Sequence, residues 1–217
     1  GGKRWFVRRY ASFFSNIPFD RVVEPFAGAL ALSLTLGVKR ALVNDRNHHL
    51  MNFYRQIQDQ VIELDESYCT KEKFYQSRLR FNELIRLGDV DSVEGAKLFW
   101  YLNRWGFNGL CRFNKKGFFN VPYGSHKKAV SRDLKPYHNL MRTWDLLSSD
   151  FEDCSIQERD IIFCDPPYDM AFRSYCSEIF NFDDQIRLVK WLEKFDVPIV
   201  ITNHPTPRIV ELYKDYG

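Results

Sequence analysis

The sequence predicts an α/β protein: an open, largely parallel sheet whose two halves are separated by an inserted lobe of helices and a β-hairpin. Three observations carry that prediction. Arg21 to Asp45 reads as strand, small-residue turn, helix and strand. Asp160 to Tyr168 reads as a buried strand that stops at two prolines. The stretch between them, about 57–144, has helical periodicity and a basic hairpin that belong to neither. The sheet domain then occupies about 1–56 and 145–217.

Lys3 to Phe14 has mixed helical character, closed by Pro18. Arg21-Val22-Val23-Glu24 is the first strand, and Pro25-Phe26-Ala27-Gly28-Ala29-Leu30 turns it into a helix over Ala31 to Leu36. Ala41-Leu42-Val43 is the second strand, running out at Asn44-Asp45. Strand, glycine turn, helix and a strand ending in an acid form a Rossmann-like mononucleotide-binding unit. Gly28 lets the backbone approach a ligand, and Asp45 can accept hydrogen bonds from ribose hydroxyls.

His48 and His49 open the next helix. Adjacent residues do not share a helical face, so they are expected as exposed or capping residues, and no metal site is expected. Asn52 to Leu102 is mostly helical. Phe74, Phe81, Leu84 and Ile85 fall at core spacing, and Gly88-Asp89 breaks the helix. Asp91 with Glu94 reads as a capping box for a helix that buries Val93, Ala96 and Phe99 or Trp100.

Leu110-Cys111-Arg112-Phe113 and Phe118-Phe119-Asn120-Val121 flank Asn114-Lys115-Lys116-Gly117, a hairpin signal with Gly117 at the position needing positive φ. From Arg104 to Arg142 there are nine Lys/Arg and one acid, Asp133. That segment carries +8 within a chain of net charge +3, which leaves −5 for the remainder. A basic lobe on an otherwise acidic protein suits a polyanion, and basic residues interleaved with aromatics suit phosphate contact together with base stacking.

After Pro136 a helix is expected over Tyr137 to Leu147, followed by Ser149-Asp150-Phe151. In Asp160-Ile161-Ile162-Phe163-Cys164 an apolar run feeds Asp165-Pro166-Pro167-Tyr168. Neither proline has an N–H and both fix φ, so Asp165 and Tyr168 are held at the carboxyl end of a strand, where open α/β sheets bind ligands. The proline carbonyls are expected as free acceptors. A carboxylate, a rigid carbonyl and an aromatic ring can hold a planar base that bears an amino group. Asp183 to Phe195 is an amphipathic helix capped by the Asp183-Asp184 pair, Val197 to Asn203 a buried strand, and Pro207 to Tyr216 a last helix.

The five cysteines are odd in number, scattered and without a Cys-x-x-Cys, which suits reduced thiols in a cytoplasmic setting. No apolar stretch approaches a membrane span and no signal-peptide pattern opens the chain, so no membrane partner is expected. No Pro-Cys occurs, so the nucleophilic thiol of carbon-directed cytosine methylation is not expected. Nothing fixes an oligomeric state; a monomer is the default.

Asp165-Pro166-Pro167-Tyr168 resembles the catalytic motif of amino-directed nucleic-acid methyltransferases that use S-adenosyl-L-methionine. The whole chain resembles a Dam-type DNA adenine methyltransferase. Its most specific piece is Asn103 to Asn114 with Gly117 and Phe119 to Gly124, which is similar to the family's DNA-recognition hairpin. The resemblance implies a Rossmann-like methyltransferase fold, double-stranded DNA as partner, and GATC or a close relative as target. Asp165, Pro166, Pro167 and Tyr168 are the implied catalytic residues. Lys3, Glu24, Pro25, Phe26, Gly28, Asp45, Asp150, Phe151 and Asp165 are the implied cofactor contacts, Asp150 by hydrogen bond and Phe151 by ring packing. On the DNA side Arg112 would read a guanine edge. Leu110 and Pro122 would meet a thymine methyl, and Phe107 or Asn108 would fill the stack left by a flipped base. Lys115, Lys116, Lys127 and Lys128 would touch phosphates, and Arg104, Asn114, Asn120 and His126 complete the implied surface.

Leu30 stands where many members carry a second loop glycine. The family's preceding lysine-bearing segment and closing strands are not seen, so a trimmed domain is expected. An RNA amino-methyltransferase shares the tetrapeptide, and a catalytically weak DNA-binding module would share the hairpin.

Overall fold

A computed structural model describes residues 3–60, 62, 64, 69–124, 133–169 and 180–216. Five parallel strands form one sheet: β1 (Arg21–Glu24), β2 (Ala41–Asn44), β3 (Asp145–Leu147), β4 (Asp160–Cys164) and β5 (Ile199–Ile201), in the order β3-β2-β1-β4-β5. Every residue of β1, β2 and β4 is buried, as strands covered on both faces must be. The chain leaves β1 toward β2 on one side, and β4 pairs on the other, with Val23 level with both Leu42 and Ile162. The order therefore reverses beside β1. At such a switch point the carboxyl ends of the strands open a crevice, and the loop after Glu24 and the tetrapeptide after Cys164 both lie at that end.

The chain forms two compact units, 1–46 with 143–217, and 47–142. In the first, α1 (Arg4–Arg9) and α2 (Ala11–Ser15) place Phe6 and Phe14 against Phe163 of β4. The short α3 (Ala31–Leu36) follows the first loop. Arg21 and Asp160, facing each other in the β1–β4 register, form a buried ion pair at the amino ends of the strands.

Residues 145–147, expected to continue a helix from Tyr137, instead form the edge strand β3 beside β2. That helix, α7 (Lys135–Met141), stops early. Buried Trp144 donates its indole N–H to Val38 O at 3.0 Å, and Asp145 begins pairing with Leu42. Three residues are too few for a period to show; the neighbouring strand decides. Helix α8 (Phe182–Leu192) is capped by Asn181, two residues before the expected acidic pair. The Asn181 side chain accepts from the Asp183 and Asp184 N–H groups, while the Asp184 carboxylate accepts from Asn181 N. The last helix, α9 (Pro207–Tyr213), is capped by Thr206 and ends before Tyr216.

The second unit holds α4 (His48–Asp59), α5 (Lys71–Leu87), α6 (Val93–Trp105) and α7. Helix α4 packs on α6, so residues 47–56, which the sequence reading placed with the sheet, belong here. The core contains the expected Phe74, Phe81, Leu84 and Phe99, joined by Trp105, Phe119 and Val121. Val93 and Trp100 are half-buried, and Ile85 packs at the core's margin. Helix α6 is capped by Ser92, whose side chain accepts from Gly95 N at 3.1 Å, and not by Asp91. A Cβ on Gly95 would lie 1.8 Å from Val90 O, so that turn closes only around glycine.

His48 is exposed as expected, but His49 is buried, 5% exposed, and stacks on Phe113 with ring centroids 4.8 Å apart. Burial lowers its pKa to about 3, so it serves as a neutral aromatic core residue. Among the described residues no helix is long and apolar enough to cross a membrane, and no cluster of His, Cys, Asp or Glu could hold a metal ion.

Candidate active site and nucleic-acid interface

Strand β4 delivers Asp165 to the carboxyl edge of the sheet with its side chain 27% exposed. Three donors converge on its Oδ1: Lys3 Nζ at 2.6 Å, Thr202 Oγ1 at 2.7 Å and the Tyr168 hydroxyl at 3.0 Å. Lys3 Nζ also lies 4.5 Å from the centre of the Tyr168 ring, a cation–π contact. Lys3, expected as a cofactor contact, thus meets the Asp165 carboxylate directly. Pro166 is buried and Pro167 exposed. The expectation that both proline carbonyls are free fails at Pro167, whose oxygen accepts from Gln185 Nε2 at 3.0 Å. Helix α8 supplies that donor.

Asp169, buried just beyond the tetrapeptide, forms a close ion pair with Arg208 of α9. Cys164 is fully buried, and burial pushes its thiol well up, so no thiolate nucleophile stands beside Asp165.

At the neighbouring strand ends, Gly28 is exposed with φ +44°, and its N–H donates to Asp45 Oδ2 at 3.1 Å. A Cβ there would meet nothing within 4 Å, so glycine is required by the backbone conformation and not by space. Leu30, where a second glycine is usual in the family it resembles, adopts the same left-handed region with φ +53°. Its side chain is completely buried, and that burial holds a conformation leucine otherwise avoids.

Glu24 lies beneath this loop, 1% exposed, accepting from Ser33 N at 2.8 Å and Leu32 N at 3.4 Å. Burial raises its carboxyl to about 7 against the lowering by those N–H groups. Its carboxylate is occupied in holding the start of α3. Asn44, which the sequence reading named only beside Asp45, ties three segments together. Its side chain donates to Pro25 O and Ser149 O, both at 3.1 Å, and accepts from Ser149 N at 3.0 Å.

Phe26 and Phe151 pack at 5.5 Å between centroids, each also against Phe180. Arg187 of α8 lies over the Phe151 ring and donates to Asp150 Oδ1 at 2.8 Å, a partner that local sequence does not reveal. The strand ends thus carry an exposed glycine in the loop after β1, carboxylates at Asp45 and Asp150, and an aromatic floor of Phe26 and Phe151. This set fits a nucleoside-bearing cofactor with hydroxyl and amine donors.

In the second unit the hairpin is held both by its own backbone, with Asn114 N donating to Phe118 O at 2.9 Å and Asn120 N to Arg112 O at 3.1 Å, and by helix α5. Among the described residues it forms only single antiparallel bridges, Phe113–Phe119 and Gly106–Tyr123, and no regular ladder. The Asn82 side chain of α5 accepts from Phe119 N at 2.8 Å and donates to Phe119 O at 3.1 Å, as a neighbouring strand would. Arg78 donates to Val121 O at 3.1 Å. Asn114 closes the tip by accepting from Lys116 N and Phe118 N.

This leaves Phe107, Asn108, Leu110, Arg112, Asn114, Lys115, Lys116 and Pro122 exposed, with Arg104 and Asn120 half-buried. Asn108 holds φ +53° inside a short 3₁₀ turn. Arg112 Nε donates to Asn120 Oδ1 at 2.8 Å, which fixes the direction of the guanidinium. His126, Lys127 and Lys128 lie outside the described residues.

A family model described as D12 class N6 adenine-specific DNA methyltransferase matches residues 1–217. A type II methyltransferase of Lactococcus lactis subsp. cremoris is 35% identical over 238 aligned residues, covering 100% of this chain and 83% of that protein. A retron DNA adenine methylase of Escherichia coli is 32% identical over 90% of this chain and 73% of its own length. The DNA adenine methylase of Vibrio cholerae is 32% identical over 89% and 76% respectively.

Proposed function

Because the chain belongs to the D12 class N6 adenine-specific DNA methyltransferases, we propose that it takes its methyl group from S-adenosyl-L-methionine and delivers it to adenine N6 in duplex DNA, within GATC or a close relative. The observation that carries this reading is Asp165, held by three donors at the carboxyl edge of β4 beside the switch point. Gly28, Asp45, Asp150, Phe26 and Phe151 would hold S-adenosyl-L-methionine, which when bound would supply an electrophilic methyl.

The chain's own residues do the rest. An adenine amine is a poor nucleophile because its lone pair is delocalised into the ring. Asp165 and the Pro166 carbonyl accept its two hydrogens and favour a pyramidal nitrogen whose lone pair is free to attack. Tyr168, its hydroxyl tied to Asp165, offers a ring for the flipped base to stack on. Positioning and electrostatics supply the acceleration. The hairpin residues of the second unit supply the duplex contacts, and the setting is the cytoplasm of a prokaryotic or phage-infected cell.

The test is labelled-methyl transfer to duplexes that represent every four-base palindrome. Asp165→Ala abolishes transfer while calorimetric cofactor affinity persists, and Asp45→Ala weakens that affinity by about 1–3 kcal/mol. Near wild-type turnover in Asp165→Ala refutes the assignment.

A further inference from the structure

A carboxylate directs an amine only if its plane is fixed, because free rotation about the last side-chain bond scrambles its two oxygens. The prolines restrain the backbone of the tetrapeptide but not that rotation. Around Asp165 the restraint is one-sided: Lys3, Thr202 and Tyr168 all donate to Oδ1, and no described residue donates to Oδ2.

The three donors differ in how firmly they are themselves held. Lys3 and Tyr168 reach Asp165 through long side chains. Thr202 is 8% exposed and directly follows β5. Its N–H donates to Cys164 O at 2.9 Å, so the ladder between the two strands extends to the residue before Asp165. Its short, β-branched side chain therefore carries the hydroxyl at a position set by the sheet. The next residue, Asn203, donates from Nδ2 to Gln185 Oε1 at 3.0 Å, and Gln185 Nε2 donates to Pro167 O. Gln185 is fully buried, and its amide is used at both ends. One end of the tetrapeptide is thus gripped from the end of β5, the other from α8.

We propose that Thr202 is the positioning residue for Asp165, turning Oδ2 toward the target amine, and that the Asn203–Gln185 pair holds the Pro167 carbonyl, and with it the far end of the tetrapeptide, in register with that carboxylate. This rests on the reading of Asp165 as the acceptor of the amine hydrogens. Thr202 touches neither base nor cofactor in this scheme; it acts through the carboxylate.

The experiment uses the full chain and the duplex that the wild type methylates fastest, and it measures single-turnover transfer beside calorimetric affinities for cofactor and DNA. Thr202→Val keeps the shape and removes the donor. It should slow transfer by about 10- to 100-fold, the value of a hydrogen bond to a charged group, and leave both affinities within about twofold. Thr202→Ser restores the donor and should recover the rate to within about threefold. Gln185→Met removes the grip on Pro167 O from the other side and should also lower the rate without weakening affinity. It decides the matter if Thr202→Val melts early. A wild-type rate in Thr202→Val, a Ser variant as slow as the Val variant, or a loss that appears in cofactor affinity overturns the proposal. If Asp165→Ala is inactive while Thr202→Val is unimpaired, only the positioning role fails. If Asp165→Ala itself transfers at the wild-type rate, the underlying reading fails as well.

Discussion

Removing the carboxylate of Asp160 should unfold this protein more readily than removing any exposed charge. Arg21 and Asp160 have side chains 5% and 1% exposed. They meet through two hydrogen bonds, Nε to Oδ1 at 2.9 Å and Nη2 to Oδ2 at 2.7 Å. Arg21 Nη2 also donates to Ser155 O at 2.8 Å, and Asp160 Oδ2 accepts from Gln157 N at 2.7 Å. The hydrogen bonds to Asp160 raise the pKa of Arg21, against the lowering by burial, so the guanidinium stays charged inside the fold.

Asp160→Ala then strands that charge with one carbonyl and the mostly exposed Asp145 at 3.7 Å. Breaking a buried pair in this way costs about 3–5 kcal/mol, a fifth or more of the roughly 5–15 kcal/mol that holds a domain folded. Replacing both partners, Arg21→Met with Asp160→Leu, removes the stranded charge and should recover most of the loss. Urea unfolding of wild type, both single variants and the double variant measures the cycle. The pair lies at the amino ends of β1 and β4, opposite the edge that carries Asp165. Cofactor affinity per folded molecule should therefore not change. A cost below about 1 kcal/mol for Asp160→Ala, or a double variant as unstable as the two singles summed, refutes the reasoning.

Glu24 gives a pH-dependent prediction. With its folded pKa raised to about 7 from 4.5, the folded chain holds up to one more proton than the unfolded chain between those values. Stability from this group is therefore full below about 4.5 and is lost as pH rises through about 7. Relative to Glu24→Gln, the wild type should gain up to about 1.4 kcal/mol per pH unit on acidification from 7 toward 5, read from urea midpoints. Parallel curves would show that the carboxyl titrates normally. Leu30→Gly sets strain relief of roughly 1–2 kcal/mol against lost burial of about 2–5 kcal/mol, so thermal unfolding should show net destabilisation. A more stable glycine variant would mean that strain dominates the loop. Arg112→Ala should cost about 1–3 kcal/mol of DNA affinity and relax one base pair. Lys115→Ala should weaken all sequences alike and lower the salt slope by about one counterion. Uniform weakening in Arg112→Ala would make that arginine a phosphate contact.

Local sequence carried the parts of this protein that are written in short range. The β1 turn–α3–β2 unit, the strand entering Asp165, and the Phe74–Phe81–Leu84 face were legible because burial imposes a period on neighbouring residues. The hairpin tip was legible because positive φ at Gly117 needs a particular residue. What the sequence could not show was settled by partners distant along the chain. Residues 145–147 became a strand because β2 offered an edge. His49 went inside because Phe81, Phe99 and Phe113 surround it. Arg21 chose Asp160 across 139 positions. The candidate site divides in the same way. Asp165, its prolines and Tyr168 stand out in sequence as a rigid peptide, whereas Thr202, Gln185 and Asn203, which hold that peptide, are ordinary polar residues until the sheet closes. A hydrogen bond depends on a separation of about 3 Å and an angle, and for groups this far apart in sequence only the folded chain sets either one.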